Sequence, residues 1–184
     1  ETVIPFFAPD SSLRQIENLL SGLPAFGFHP LNTADVALIQ TRIPGQADRL
    51  FTATEQVTAD RLAVLGCNLV ASPVCEHDRQ AVAELITSSI ADGADIVLVC
   101  GGSAIIDRQD ELPQAVIAAR GNVNQLGLAV DPGNLLMFAK VGDAPVIGMP
   151  GCARSPKLNG LDWVLQLVLA DIDMTRGEFA DMAA

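Results

Sequence analysis

From about residue 35 onward, apolar residues fall in short runs separated by turn residues. Val36-Ala-Leu-Ile-Gln-Thr41, Asn68-Leu-Val-Ala-Ser72 and Ile96-Val-Leu-Val-Cys100 are too short for helices and rich in aliphatic residues, so each reads as a strand. Between them the spacing predicts a helix from about 54 to 65, with Gly66 as the residue that ends it, and a second from about 78 to 91. Val82, Leu85, Ile86 and Ile90 form the inner face of the second helix, and Asp92-Gly93 closes it. A further helix is expected from about 112 to 120, stopped by Gly121. From Val123 to Val130 the apolar positions 126, 128 and 130 alternate, which suits an edge or antiparallel strand. Asp131-Pro-Gly133 reads as a turn, Leu135 to Val141 and Pro145 to Met149 as strands. The last helix is expected from about Pro156 to Ala170, burying some combination of Leu158, Leu161, Trp163, Val164, Val168 and Leu169. Strands alternating with helices of ten or so residues predict an α/β fold: a three-layer, mostly parallel sheet flanked by helices.

Residues 1–33 differ. They hold Pro5, Pro9, Pro24 and Pro30 and one short helical candidate, Ser11 to Leu20, capped by Ser11 or Ser12, with Leu13, Ile16, Leu19 and Leu20 on one face. This segment is expected to be a connector from a domain lying upstream, of which Val3-Ile-Pro-Phe-Phe7 would be the last strand, and residues 34–184 the domain proper. The chain begins at Glu1 without a methionine, as a fragment would.

Composition narrows the function classes. With 22 acidic and 11 basic residues the formal net charge is -11, and the basic residues are spread thinly from Arg14 to Arg176, which disfavours nucleic acid and anionic membranes as partners. No apolar run approaches the ~20 residues of a membrane span. Cys67, Cys75, Cys100 and Cys152 form no CxxC pair, and only His29 and His77 could join them as imidazole ligands, so a zinc site is not indicated. This cysteine usage fits a reducing cytoplasm.

Four segments could carry chemistry. Gly101-Gly102-Ser103 follows an apolar strand directly, where glycines let backbone N–H groups approach an anion and Ser103 adds a hydroxyl. The same sequence also suits a tight turn without a ligand. The spacing is neither GxGxxG nor a P-loop. Pro150-Gly-Cys-Ala-Arg-Ser-Pro-Lys157 also follows an apolar strand, and the stretch from Ala144 to Gly160 holds Arg154 and Lys157 and no acid. Small residues, Ser155 and two cations ahead of a helix make a good anion site; a surface loop with solvated cations is the plainer alternative. Cys152 could have a lowered thiol pKa there, but a small spacer is the preferred reading. Asp107, Asp110 and Glu111 lie just past the glycine loop, where carboxylates could hold a metal ion, take hydrogen bonds from ring N–H groups, or, for Asp110, cap a helix. In Glu76-His77-Asp78, Asp78 is a natural helix N-cap, and His77 could act as a general base but has no nucleophile visible beside it in the sequence.

These loops resemble the molybdopterin-binding domain of molybdenum cofactor biosynthesis and competence-damage-inducible-type proteins, and Pro150 to Leu165 in particular a subgroup that stands alone or is fused to cofactor nucleotidyltransferase domains. The family's GGTG or GGxS loop corresponds to Gly101-Gly102-Ser103-Ala104, and its LPGNP loop and following serine to Met149-Pro150-Gly151-Cys152-Ala153-Arg154-Ser155. Gly127 to Gly133 and Ala144 to Gly148 match the intervening stretches in order, so that the resemblance covers about residues 35–170. It implies a ligand that is molybdopterin or its nucleotide, bound by Gly101, Gly102, Ser103, Pro150, Gly151, Cys152, Arg154, Ser155 and Lys157. It also implies a homo-oligomer, with a nucleotidyltransferase or molybdoenzyme chaperone as protein partner. Members that catalyse adenylyl transfer or molybdate insertion need acids and Mg²⁺, for which Asp78, Asp107 and Asp110 are the candidates; competence-type relatives suggest a nucleotide pyrophosphatase instead. The chain departs from the pattern at Ala104, at Gln109, where the aspartate is due, and at Thr41-Arg-Ile-Pro-Gly45, where cofactor-inserting members carry acids. Binding is therefore the expectation, and catalysis an open alternative.

Overall fold

The computed structural model describes residues 10–20, 28–174 and Phe179. They fall into two units, Glu1–Pro30 and Leu31–Ala184. The first holds helix α1, Asp10–Leu20, in which Leu13 is exposed. The strand expected at residues 3–7 lies outside the described residues.

The second unit is built on one sheet. Strands β1 (Asp35–Arg42), β2 (Asn68–Ala71), β3 (Val74–Glu76), β4 (Ile96–Cys100), β5 (Asn122–Leu126), β6 (Met137–Val141) and β7 (Ala144–Met149) run in the order β2-β1-β4-β7-β6-β5, with β3 extending the pairing of β2 along β1. All pairings are parallel except those of β6 with β5 and β7. β1 and β4 are each paired on both sides and covered on both faces, which is why their sequences are nearly continuous in apolar residues. Alternate residues face opposite sides. Leu38, Leu98, Ile147 and Phe138 pack under helices α2 (Asp48–Val64) and α5 (Gly160–Leu169). Ile39, Val97, Val99 and Val146 pack under α3 (Arg79–Ala91) and α4 (Glu111–Ala118). This is the expected three-layer α/β arrangement. No helix among the described residues is long and apolar enough to cross a membrane.

Several boundaries moved, each for a local reason. α2 begins at Asp48 rather than about 54, so that Phe51 joins a buried stripe that Thr54, Thr58, Arg61 and Leu62 continue. The threonine hydroxyls return to the carbonyls of Leu50 and Thr54, each at 2.8 Å, so burial leaves neither unsatisfied. β3 was not expected; three residues after Pro73 give no periodicity to read. α5 begins at Gly160, not Pro156, since Asn159 and Asp162 form a capping box there. Its buried residues are Leu161, Val164, Leu165 and Leu169, while Leu158 is exposed and Trp163 is partly so. β5 ends at Leu126, and β6 starts at Met137.

Helices α2, α3, α4 and α5 close in the same way, with one residue in left-handed conformation and two amides returning to the last turn. Gly66 (φ +75°) and Gly93 (φ +100°) fill that position for α2 and α3, as expected. After α4 it is Arg120 (φ 62°), not Gly121, whose own amide donates to Val116 at 2.8 Å. Gly121 is needed for a different reason: a Cβ there would lie 2.6 Å from the Lys140 carbonyl oxygen. The two residues should therefore respond oppositely. Arg120→Gly relieves left-handed strain and is expected to raise stability by about 0.5–1 kcal/mol, whereas Gly121→Ala lowers it; urea unfolding midpoints of both variants check this.

Candidate functional site

The carboxyl ends of β1, β3, β4 and β7 share one edge of the sheet. α4 leaves β4 toward one face, while α5 after β7 and α2 after β1 lie on the other, so the loops after β4 and β7 part and leave a crevice between them. Gly101, Gly102 and Ser103 lie on that edge after β4, and Pro150 to Ser155 after β7.

The glycine loop is tied to β1 and to the turn before α3. The Gly102 amide donates to the Thr41 hydroxyl at 2.7 Å, and Thr41 Oγ1 also lies 2.7 Å from His77 Nδ1. The other ring nitrogen, Nε2, lies 2.9 Å from Ser103 Oγ. Gln46 joins the same corner, accepting from the Ile43 amide at 3.1 Å and donating to the Gly102 carbonyl at 3.4 Å. Neither glycine has positive φ; each is required by close approach. A Cβ on Gly101 would lie 2.7 Å from the Ser103 carbonyl oxygen, and one on Gly102 2.8 Å from Ile43 Cγ2. His77 therefore does meet a serine, one that lies 26 positions away.

The second loop is a 3-10 turn, Gly151–Arg154, followed by an extended segment. It is held from beneath by Arg61, whose Nε donates to Asp162 Oδ1 at 2.7 Å. Arg61 Nη1 and Nη2 donate to the carbonyls of Ala153 (3.0 Å) and Ser155 (2.9 Å). The two charged side chains are 6% and 14% exposed, so this is a buried ion pair. Asp162 also accepts from the Asn159 amide at 2.9 Å, so one carboxylate serves both the pair and the helix cap.

Arg154 points to the first loop. Its Nη2 donates to the Gly101 carbonyl at 3.0 Å and its Nη1 to Thr54 Oγ1 at 2.8 Å. The two loops thus meet. This corrects the expectation that two cations and a helix N-terminus act together. Arg154 holds loop to loop, the α5 terminus is closed by its capping box, and Lys157 is exposed on the segment between. Burial pushes the Cys152 and Cys100 thiols upward and, with Glu76 and Asp78 nearby, Cys75 up to about 11, so none is an activated thiolate.

Each of the three aspartates gives one carboxylate oxygen to backbone amides. Asp78 caps α3, accepting from the Gln80 and Ala81 amides, both at 3.0 Å. Asp107 accepts from the Gln109 amide at 2.7 Å. Asp110 occupies the N-cap position of α4, yet its Oδ2 turns back to the amides of Ile106 (2.7 Å) and Asp107 (2.9 Å). Those two amides hold its carboxyl below the usual range. Glu111 pairs with Arg79 across the α3–α4 gap at 3.1 Å. No group of three His, Cys, Asp or Glu among the described residues is placed to hold a metal ion.

A cavity of about 440 Å³ lies at the other end of the sheet, lined in part by Asn32, Asp95, Lys140, Asp143 and Asp171. It is remote from the glycine loops. Ligands of open parallel sheets bind at the carboxyl edge, where the glycine loops lie.

Thr41, Gln46, Thr54, Arg61 and Asp162 were not singled out in the sequence. The signal available was the polar stripe of α2 and the Asn159-x-x-Asp162 spacing of a capping box.

Two outcomes follow. Arg61→Met leaves Asp162 buried without its partner and is expected to cost about 3–5 kcal/mol, part of it recovered in Arg61→Met/Asp162→Asn; chemical denaturation of the three proteins checks this. Because the Asp110 carboxyl is lowered in the folded state, its contribution is present above the ordinary aspartate range and fades as pH falls through the folded value. The stability gap between the native chain and Asp110→Asn should therefore be widest near neutrality and shrink below about pH 4, measured by urea midpoints along a pH series.

No protein-family model matches the sequence, and no curated protein is significantly similar to it. Solved structures share its fold. The tungsten cofactor synthesizing protein MoaB from Pyrococcus furiosus superposes with a TM-score of 0.55 at 17% identity, over 80% of this chain and 98% of that one. The molybdopterin biosynthesis MoeA protein from Pyrococcus horikosii superposes with a TM-score of 0.53 at 22% identity, over 76% of this chain. The matched region spans 35% of that longer protein. The chain has the α/β fold found in these cofactor-biosynthesis proteins, the fold that its sequence resemblance implied.

Proposed function

We propose that the chain binds molybdopterin, or its nucleotide form, in the crevice at the carboxyl edge of the sheet, as part of molybdenum cofactor biosynthesis or handling. Gly101, Gly102 and Ser103 would line one side, Pro150, Gly151, Cys152 and Ser155 the other, with Lys157 as the accessible cation. The observation that carries this reading is the hydrogen bond from Arg154 to the Gly101 carbonyl, which brings together two loops separated by some fifty residues. Two small-residue loops at the carboxyl edges of β4 and β7 suit a phosphorylated, flat ligand: backbone amides can approach its anion, and the crevice can take its ring. The names of the two structural neighbours agree with a ligand of this class.

The reading is of a binding protein rather than of an adenylyl-transfer or molybdate-insertion enzyme. Asp78, Asp107 and Asp110 each give carboxylate oxygens to backbone amides, which makes them parts of the loop architecture.

Anaerobic isothermal titration with purified molybdopterin tests the proposal. Binding in the micromolar range or tighter is expected, with loss of at least tenfold in Gly102→Val, whose side chain would collide with Ile43 and the Thr41 carbonyl. No heat at high micromolar ligand, or equal affinity in the variant, would contradict it.

A further inference from the structure

Ser103 and His77 look like a nucleophile and its base, but the atoms behind them argue otherwise. A general base must receive the serine proton at Nε2, and so must carry its own hydrogen at Nδ1, usually held there by a carboxylate or carbonyl. Here Nδ1 faces the hydroxyl of Thr41 at 2.7 Å. That hydroxyl already accepts the Gly102 amide hydrogen at 2.7 Å, and Thr41 is fully buried. Among the described residues its own hydrogen has one acceptor in reach, His77 Nδ1. Were Nδ1 protonated, the Thr41 hydrogen would be buried without a partner, the costlier arrangement. Hydrogen bonds therefore run in one direction: Gly102 N–H to Thr41, Thr41 O–H to Nδ1, and Nε2–H to Ser103 Oγ. Ser103 Oγ, accepting from the ring, has its own hydrogen left over. Ser103 is exposed and its hydroxyl has no other partner among the described residues.

We propose that Ser103 is a directed hydrogen-bond donor, held by Thr41 and His77 as positioning residues, and that it selects a ligand oxygen that only accepts, such as that of a phosphate or a ring carbonyl. This rests on the loop crevice being a ligand site, and it assigns that site a polarity. One fixed donor on a rigid chain of hydrogen bonds discriminates against a ligand group that is itself a donor, because two donors would face each other. It also removes Ser103 from the roster of nucleophiles, since the neutral imidazole offers it a hydrogen instead of taking one.

The tautomer can be seen directly in the whole chain. Long-range ¹H–¹⁵N correlation spectra at about pH 8.5, above the ordinary imidazole range, report which ring nitrogen is protonated, and His29→Gln leaves His77 as the single histidine. The expected result is an Nε2–H imidazole. Thr41→Val, which removes the donor to Nδ1, should shift the ring toward a mixture of tautomers. An Nδ1–H signal in the otherwise native protein overturns the proposal without need of any further variant. In a second measurement, inorganic phosphate and a phosphate-free pterin are each titrated into the native chain and into Ser103→Ala. A loss of roughly tenfold for phosphate alone identifies a phosphate oxygen, and for the pterin alone a ring carbonyl. Equal affinities in both proteins, or binding of neither probe by the native chain, overturns the donor role. Failure of the molybdopterin titration with phosphate binding and the Nε2–H tautomer intact would instead remove the pterin reading and leave the donor standing.

Discussion

The guanidinium of Arg61, buried beneath the loop that follows β7, is the interaction from which the geometry of the crevice derives. A charge taken out of water is costly unless its partners replace hydration, and Arg61 has three: the Asp162 carboxylate and the carbonyls of Ala153 and Ser155. These partners lie on separate pieces of chain. Arg61 joins the interior stripe of α2 to the first turn of α5 and to the connection between β7 and α5. Fixing Ala153 and Ser155 fixes Arg154 between them, and Arg154 reaches Gly101. The position of one loop is thereby passed to the other through the protein's own hydrogen bonds. A crevice ordered in advance loses less conformational freedom on binding, which is the physical benefit of placing a buried ion pair beneath it.

The two halves of the edge differ in what their polar groups are free to do. Carboxylates at 78, 107 and 110 face backward into turns and helix termini, where they satisfy amides that no carbonyl reaches. The outward-facing groups include the Ser103 hydroxyl, small residues and the Lys157 ammonium. An edge composed in this way can hold an anion or an acceptor-rich ring. The Ser103–His77 contact fits the same division once Thr41 is taken into account, because the threonine hydroxyl sets which ring nitrogen carries the hydrogen.

Much of the fold is legible in the sequence. The aliphatic runs ending at Thr41 and Cys100 identify β1 and β4, Gly66 and Gly93 end their helices, and Asp78 caps α3 as its residue type suggests. The failures share a cause: a tertiary partner decides the outcome. α2 starts six residues early because Phe51 packs inward one turn ahead of Thr54, and a single apolar residue followed by buried threonines leaves hydrophobic periodicity little to register. Arg120, not glycine, takes the left-handed position after α4, since Gly121 is reserved for the contact with β6. For the site, each loop could be found singly as small residues after a strand. Their meeting could not, because it depends on Arg61 contacting carbonyls 92 and 94 positions away. Nothing in the sequence sets Ser103 and Thr41 beside His77; only the parallel register of β1 with β3 and β4 does so.

The most direct test of the account is a crystal structure of the chain grown with molybdopterin or, failing that, with inorganic pyrophosphate. The account predicts ligand density in the crevice between Gly101–Ser103 and Pro150–Ser155, with an acceptor oxygen within hydrogen-bonding distance of Ser103 Oγ. Density confined to the cavity lined by Asn32, Asp95 and Lys140 at the opposite end of the sheet, with the loop crevice holding only solvent, would contradict it.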